Sequence, residues 1–316
     1  LRISVTDRCN IRCFYCMPEV GLRFLPRSEL LTFEEIARFV HAVVPLGVRK
    51  LRLTGGEPLV RTDLAKLVAQ LAAIPGVDDL ALTTNGILLA DHAADLRAAG
   101  LQRLNVSLDA LSEATFEKIA RRPGLAQTLA GIAAAQQAGF EQIRLNTVAL
   151  RGLTEDEVIP LCEFALAHDL ELRFIEFMPL DAEQNWTEVD MLTGAELREI
   201  IETRFGPLTP RTRPTASQPA ADYWFAAGRG RIGLINPVSE PFCDACDRLR
   251  LTAEGQVRNC LFSTREWDAR ALLRSGAGDD DVRQLVRDCV AAKAAAHGIG
   301  QGGFERPERA MYQIGG

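Results

Sequence analysis

The sequence predicts an α/β protein: an incomplete (β/α)6, TIM-like barrel with a C-terminal α+β region covering its open side. Up to about residue 180, short apolar runs alternate six times with amphipathic helical stretches, which is typical of parallel strands joined by right-handed crossovers. Six units are too few to close an eight-stranded barrel. After residue 180 the alternation stops, so we expect two domains, residues 1–180 and residues 181–316. In such folds the chemistry lies at the carboxyl ends of the strands.

The elements of the first region follow in strict order. Thr32 with Glu35 three residues later is a capping-box pair, and Gly100 and Gly139 stand where helices should end. The predicted strands span residues 1–6, 50–54, 80–84, 103–107, 142–148 and 171–177. The predicted helices span residues 32–46, 64–73, 91–99, 112–120, 125–138 and 156–168.

The second region has a different pattern. A predicted helix at residues 193–205 leads into a Pro/Thr-rich surface loop at residues 207–219. Strands are predicted at residues 223–227 and 231–235, and a hairpin at residues 248–261 turns near Glu254 and Gly255. The last predicted helix spans residues 279–296, and the sequence ends in Gly315 and Gly316.

Composition excludes several classes of partner. The 316 residues contain 36 Lys and Arg against 42 Asp and Glu, a net charge of −6, so the protein lacks the general positive field that attracts nucleic acid or anionic membranes. No apolar run reaches the roughly 18–20 residues that a bilayer span needs. No secretory leader is visible, and we therefore expect a cytoplasmic protein with no nucleic-acid or membrane partner.

Six of the eight cysteines form two triplets. Cys9, Cys13 and Cys16 form CxxxCxxC in the loop after the first strand, where three thiolates suit zinc or an iron-sulfur cluster. A four-iron cluster on three thiolates keeps one iron open to a chelating small molecule. A structural zinc site would need a fourth ligand, and His41, His92 and His168 are all distant in sequence.

The second triplet is Cys243, Cys246 and Cys260, spaced CxxCx13C across the predicted hairpin. A zinc ribbon would show a second CxxC, which is absent, so we expect a second cluster with an open iron. Cys162 and Cys289 lie in apolar helical stretches and are expected to be buried as small hydrophobic residues.

Polar and basic side chains recur at the strand ends. The segment Gly55-Gly56-Glu57-Pro58 would let backbone approach a ligand closely and present a carboxylate to an ammonium. Lys50 and Arg52 share one side of their strand, as do Arg248 and Arg250, and inward-facing charge is costly without an anionic ligand. A solvated strand face is the alternative. The polar residues of the expected pocket are Thr83, Thr84, Asn85, Ser107, Asp109, Asn146 and Glu176, with Met178 beside them and Arg144 and Arg173 as further cations.

The cysteine spacing and the GGEP segment together resemble the radical S-adenosylmethionine superfamily. Within it, the chain resembles the GTP 3′,8-cyclase family over nearly its whole length, in the segments SVTDRC (residues 4–9), TGGEP (54–58), LTTNG (82–86), NVSLD (105–109) and RFIEFM (173–178). The resemblance implies conversion of GTP to 3′,8-cyclo-7,8-dihydro-GTP, the first step of molybdenum cofactor biosynthesis. A 5′-deoxyadenosyl radical would take hydrogen from the ribose 3′ carbon. It also implies two 4Fe-4S clusters, S-adenosylmethionine and an external electron donor, with a homodimer as a candidate assembly.

The resemblance also implies roles for residues. Arg144 stands where the family often has lysine, and its bulkier fork can alter phosphate geometry. The cluster ligands would be Cys9, Cys13, Cys16, Cys243, Cys246 and Cys260. S-adenosylmethionine would contact Gly55, Gly56, Glu57, Thr83, Ser107 and Met178, and GTP would contact Lys50, Arg52, Arg144, Arg173, Arg248 and Arg250. The residues that would serve catalysis are Arg2, Arg248, Arg250, Gly315 and Gly316. A radical enzyme with an auxiliary cluster acting on a peptide, and a zinc-bound structural protein, are the alternatives.

Overall fold

The computed structural model describes residues 1–184, 186–213, 215–226, 228–302 and 304–315. Its described strands belong to one sheet. They are β1 (Arg2–Ser4), β2 (Lys50–Thr54), β3 (Asp79–Thr84), β4 (Arg103–Ser107), β5 (Ile143–Ala149), β6 (Glu171–Glu176), β7 (Thr209–Pro210), β8 (Ala221–Trp224), β9 (Arg231–Ile235), β10 (Arg250–Leu251), β11 (Gln256–Arg258) and β12 (Trp267–Asp268).

The sheet has the order β12-β11-β10-β1-β2-β3-β4-β5-β6-β9-β8-β7. Strands β1 to β6 pair in parallel with their sequence neighbours. In the described part of the chain β1 and β6 do not pair with each other, so the barrel is open. The prediction of an incomplete, TIM-like (β/α)6 barrel is confirmed. The C-terminal region continues the sheet at both edges, because β10 pairs in parallel with β1 and β9 pairs in parallel with β6.

The helices connect and cover the strands. The predicted capping box is present at the first one, where Thr32 Oγ1 accepts the backbone N–H of Glu35 at 3.1 Å. Gly100 and Gly139 have φ of 103° and 83° and end their helices in the left-handed conformation. The helices are α1 (Phe33–Val43), α2 (Leu64–Ala72), α3 (Leu89–Ala98), α4 (Glu113–Ala120), α5 (Leu125–Gln137), α6 (Val158–Ala167), α7 (Gly194–Phe205), α8 (Ala269–Arg274), α9 (Asp279–Ala291) and α10 (Met311–Ile314).

Three predicted boundaries in the second region are wrong. Helix α9 ends at Ala291 rather than at residue 296, because Lys293 turns aside to donate to backbone carbonyls of two other segments. The predicted strand at 223–227 is β8, two residues earlier, and Ala227 lies outside the described residues. The predicted loop at 207–219 contains the short strand β7, which pairs with β8.

Alternation along the parallel strands separates the core from the inner face. In β2, Leu51 and Leu53 are buried in the main hydrophobic cluster, while Lys50, Arg52 and Thr54 line an internal cavity. A strand presents successive side chains to opposite faces, so one side packs against helices and the other carries polar groups. Among the described residues, no helix is long and apolar enough to cross a membrane.

Candidate active site

A large cavity occupies the inner face of the open barrel. Its volume is about 1250 Å³, above the usual range of about 300–1,000 Å³ for a single small-molecule site, so it has room for two nucleotide-sized molecules. Sixteen of the residues assigned by resemblance line it: Arg2, Cys9, Cys13, Cys16, Lys50, Arg52, Gly55, Gly56, Glu57, Thr83, Ser107, Arg144, Arg173, Met178, Arg248 and Arg250.

The first thiol triplet lies in the loop that follows β1. Backbone N–H groups of Cys16 and Met17 both donate to the carbonyl of Cys13 at 2.9 Å, which curls the loop. Tyr15 donates its hydroxyl to Asp109 at 2.6 Å, anchoring the loop to the end of β4. Asp109 was expected only to line the pocket, and the structure gives it this anchoring contact as well.

The three thiols suit a multi-metal cluster. Burial raises the pKa of Cys9 to about 11, and burial together with the Asp109 carboxylate and the other two thiols raises the pKa of Cys13 well above its ordinary value. These thiols would ionise only beside strong positive charge, which metal ions supply. In the described ranges, no three His, Cys, Asp or Glu side chains are arranged to hold a single metal ion.

The GGEP segment lies against the start of the cysteine loop. A Cβ on Gly56 would lie 2.3 Å from the carbonyl oxygen of Arg8, and one on Gly55 would lie 2.7 Å from that of Thr6. The backbone N–H of Gly56 donates to Thr6 at 2.7 Å. The paired glycines were expected to permit approach of a ligand. In the structure they are required by the close approach of the neighbouring loop.

Glu57 is buried and held by protein donors. Its carboxylate accepts from Thr84 Oγ1 at 2.7 Å and from the backbone N–H groups of Asn85 at 2.7 Å and Leu59 at 3.0 Å. Burial raises its pKa to about 7 despite these bonds. The carboxyl group is therefore fixed in orientation at the edge of the cavity, where burial disfavours its charged form.

The polar residues at the strand ends divide into two kinds. Glu176 is a structural anchor that accepts from the backbone N–H groups of Val238 and Ser239 at 3.0 Å. Thr83 Oγ1, Asn105 Oδ1 and Asn146 Oδ1 are buried, line the cavity and have no hydrogen-bond partner in the described structure. Buried polar atoms of this kind normally have partners, so these three are candidates to contact a ligand.

Sequence reasoning did not assign a role to Asn105, which is 1% exposed. It lies on β4 two residues before Ser107, so both side chains face the cavity. The signal was available, because the period of two from Ser107 predicts that Asn105 shares its face. Arg103 shares the same face but is paired with Asp79.

Three arginines stand side by side on adjacent strands. The Cα register pairs Arg2 on β1 with Arg250 on β10 and with Arg52 on β2. Burial and the other arginines lower the pKa of Arg2 and of Arg52 well below the ordinary value. In the described ranges neither Arg2 nor Arg52 has a carboxylate within ion-pair distance. This row of like charges favours binding of an anion.

Arg144 and Arg173 are compensated differently. Arg144 Nε lies 3.0 Å, and Arg173 Nε 2.7 Å, from the same oxygen, Oε1 of Glu171. The sequence argument attributed the compensating charge to a ligand, but here the protein itself supplies a carboxylate. Arg173 also lies 4.0 Å from Asp222 Oδ1, whereas Arg144 has Glu171 as its one carboxylate partner among the described residues.

The C-terminal segment reaches the arginine row. Arg250 Nη1 donates to the carbonyl oxygen of Gly315. Gly315 has φ of 83°, and a Cβ there would lie 2.7 Å from Thr54 Oγ1 at the end of β2. Only glycine fits this position without strain. Gly316, also assigned by resemblance, lies outside the described residues.

The second thiol triplet lies beside the cavity. Cys243 begins a short 3-10 turn, and Cys246 donates its backbone N–H to the Cys243 carbonyl at 3.0 Å. Burial raises the pKa of Cys246, but the charges of Arg248 and Lys293 outweigh it and hold that pKa below its ordinary value. Leu261, next to Cys260, lines the cavity, so this triplet lies beside the cavity wall. The donor set fits a thiolate-bound cluster.

Comparison with known proteins assigns the family. The family model described as the radical SAM superfamily matches residues 3–165, and the model described as Molybdenum Cofactor Synthesis C matches residues 170–299. A protein of Rhodopirellula baltica named GTP 3',8-cyclase is 55% identical over 319 residues, covering 100% of this chain and 89% of the relative. The chain belongs to the GTP 3′,8-cyclase family.

Further relatives support this GTP 3′,8-cyclase assignment. Proteins of the same name from Pelotomaculum thermopropionicum and Streptomyces coelicolor are 46% and 45% identical, and the alignments cover 100% of this chain and 97% and 93% of the relatives. Membership of the radical SAM superfamily implies an iron-sulfur cluster and S-adenosylmethionine. This membership does not favour the zinc-bound structural protein.

Solved structures show the shared fold. The crystal structure of Streptococcus suis SuiB bound to S-adenosylmethionine matches with a TM-score of 0.62 at 12% identity, covering 90% of this chain and 67% of that one. Methylornithine synthase (PylB) matches with a TM-score of 0.52 at 16% identity, covering 66% and 62%. At these identities the likeness concerns the fold alone, so it gives the peptide alternative no support against the family assignment.

Proposed function

We propose that this chain converts GTP to 3′,8-cyclo-7,8-dihydro-GTP, the first step of molybdenum cofactor biosynthesis. The observation that carries the proposal is one cavity in which the three-thiol loop after β1 faces the uncompensated row of Arg250, Arg2 and Arg52. A radical-generating cofactor site and a polyanion site thus share one space. The family relatives carry the name of this activity.

The residues divide into two groups along the cavity. Cys9, Cys13 and Cys16 would hold a 4Fe-4S cluster, with S-adenosylmethionine near Gly55, Gly56, Glu57, Thr83, Ser107 and Met178. When bound, the cluster and S-adenosylmethionine supply the radical chemistry, including hydrogen abstraction from the ribose. Lys50, Arg52, Arg144, Arg173, Arg248 and Arg250 would bind the triphosphate and guanine by charge-assisted hydrogen bonds.

The catalytic contribution of the chain is positioning. Arg2, Arg248 and Arg250 would fix the nucleotide against the cofactor, and the Gly315 carbonyl would hold Arg250 in place. The sheet, the cysteine loop and the C-terminal segment line the cavity and would limit the access of water to the reacting groups. The catalytic role of Gly316 stays a prediction.

The second cluster is also part of the proposal. Cys243, Cys246 and Cys260 would hold a 4Fe-4S cluster whose open iron meets the guanine, which the position of Leu261 and Arg248 on the cavity wall supports. We further propose residues 1–180 and 181–316 as domains, since the strand-helix alternation stops after β6. The external electron donor, the cytoplasmic location and the homodimer stay predictions.

Anaerobic turnover tests the function. Reconstituted protein is incubated with reductant, S-adenosylmethionine and GTP, and the nucleotide products and 5′-deoxyadenosine are quantified. We expect GTP-dependent formation of 5′-deoxyadenosine and of a cyclised nucleotide. Equal 5′-deoxyadenosine without GTP, and no loss of GTP, would refute the proposal.

Metal analysis tests the cluster content separately. Two four-iron clusters predict about seven to eight irons and as many sulfides per chain. Stoichiometric zinc without sulfide would contradict both radical-enzyme hypotheses. Four irons that disappear on substitution of Cys9 would indicate that the second triplet holds no cluster.

A further inference from the structure

Lys293 makes three contacts at the second thiol triplet. It follows α9, is half-buried, and its Nζ lies 3.4 Å from Cys246 Sγ, 3.1 Å from the Arg248 carbonyl oxygen and 2.9 Å from the Asn259 carbonyl oxygen. An ammonium group has three donors, and these contacts use all of them.

These contacts join the two segments that carry the cysteines. Cys246 and Arg248 precede β10, while Asn259 directly precedes Cys260 after β11. Asn259 Nδ2 also donates to the Cys289 carbonyl of α9 at 2.7 Å. The end of α9 is therefore tied to both sides of the triplet by Lys293 and Asn259.

The ammonium group of Lys293 lies beside the sulfur of Cys246. In the described ranges Lys293 forms no ion pair with a carboxylate, and Cys246 Sγ is the contact that would carry negative charge when it ligates a metal. Arg248 Nε also approaches Cys246 Sγ, at 3.3 Å. Two cationic donors on one cysteine sulfur stabilise negative charge there. Hydrogen bonds and charge at the cysteine sulfurs set the reduction potential of iron-sulfur clusters.

We propose that Lys293 is a positioning residue of the second cluster, holding Cys246 beside the Cys260 segment and raising the reduction potential of the cluster bound there. This inference rests on the proposed function, because the second cluster belongs to that proposal. Lys293 differs from the arginines of the cavity, since it does not line the cavity and is not expected to touch GTP.

The test separates the effect of the Lys293 charge on the cluster from the effect of its hydrogen bonds. Lys293→Met removes both, Lys293→Gln retains a neutral donor, and Lys293→Arg retains the charge. Lys66→Met is the matched control, because Lys66 is exposed on α2 and paired with Asp63. Each change is made in the full chain with Cys9, Cys13 and Cys16 replaced by alanine. Iron content is measured, and the cluster is titrated reductively by electron paramagnetic resonance.

We expect Lys293→Met and Lys293→Gln to lower the ratio of reduced to oxidised cluster about tenfold at a fixed potential, which is 59 mV for one electron. Lys293→Arg should stay near the unsubstituted background, as should Lys66→Met. Loss of iron in Lys293→Met that Lys293→Arg restores would support the holding role. Unchanged potential and iron in Lys293→Met, or an equal shift in Lys293→Arg, would overturn the proposal.

The same experiment distinguishes failure of the proposed second cluster from failure of the inference about Lys293. If the background chain itself binds no iron, the second cluster of the proposed function is refuted. If the background binds about four irons and the Lys293 variants match it in potential, only the inference about Lys293 fails.

Discussion

Glu171 offers a direct test of how the cavity tolerates its buried arginines. The carboxylate is 6% exposed and contacts Arg144 and Arg173, whose side chains are 18% and 7% exposed. Glu171→Gln keeps the shape and one acceptor oxygen but removes the negative charge. Arg144 would then lose its counter-ion, and Arg173 would keep only Asp222, 4.0 Å away. Breaking a buried pair in this way costs about 3–5 kcal/mol.

This loss in the free energy of unfolding corresponds to a measurable fall in Tm. A chain of this length has an unfolding entropy of about 0.7 kcal/mol/K near its midpoint, so the loss corresponds to a fall in Tm of about 4–7 °C. The assay is anaerobic thermal unfolding of equally loaded proteins, followed by circular dichroism at one scan rate. Saturating GTP should raise the Tm of Glu171→Gln more than that of the unsubstituted protein, because the triphosphate replaces the missing negative charge.

A matched substitution provides the control. Glu163 pairs with Arg204 at 2.8 Å, and both side chains are about half exposed. Glu163→Gln should therefore cost no more than about 1 kcal/mol, or about 1–2 °C. A fall in Tm for Glu171→Gln no larger than that for Glu163→Gln would refute the argument that Glu171 compensates the buried arginines.

Three further predictions concern the cavity. Arg248→Ala should raise the Kd of GTP about 10- to 100-fold by removing a charge-assisted contact, and should leave S-adenosylmethionine binding unchanged, both measured by equilibrium dialysis. Loss of binding of both ligands would indicate a structural role for Arg248. Gly56→Ala places a Cβ against the Arg8 carbonyl and should cost about four of the bound irons, whereas Gly302→Ala, with nothing within 4 Å, should keep them all. Asn105→Ala should weaken one of the two ligands about 3- to 10-fold with little change in Tm, unlike Leu104→Ala, which should lose about 2–5 kcal/mol from the core. Equal destabilisation by the two alanines and unchanged affinities would count against a ligand contact at Asn105.

The ends of the strands and helices show where the local sequence was sufficient to predict the structure. The strands Lys50–Thr54 and Arg103–Ser107 match their predicted bounds, because alternating side chains and flanking turns are local signals. Helix α9 stops five residues before the predicted end although alanines follow. The reason is the tertiary bonding of Lys293, which no helix propensity could reveal.

The glycines of GGEP show a similar limit. Their presence predicted a close approach of a ligand, and the structure adds a close approach of the backbone of Thr6 to Arg8. The sequence shows that a residue without Cβ permits close approach, whereas the identity of the neighbouring atoms depends on how two loops pack.

Periodicity and residue spacing predicted the open barrel of strand-helix units, the two thiol triplets and the basic residues on the strands, because these are properties of the chain. Which of the arginines have a carboxylate partner depends on the folded chain. Arg144 and Arg173 share Glu171, while Arg2, Arg52 and Arg250 stand in one row across three strands. Compensation depends on distances of a few ångströms between residues far apart in sequence, and strand register and packing set those distances.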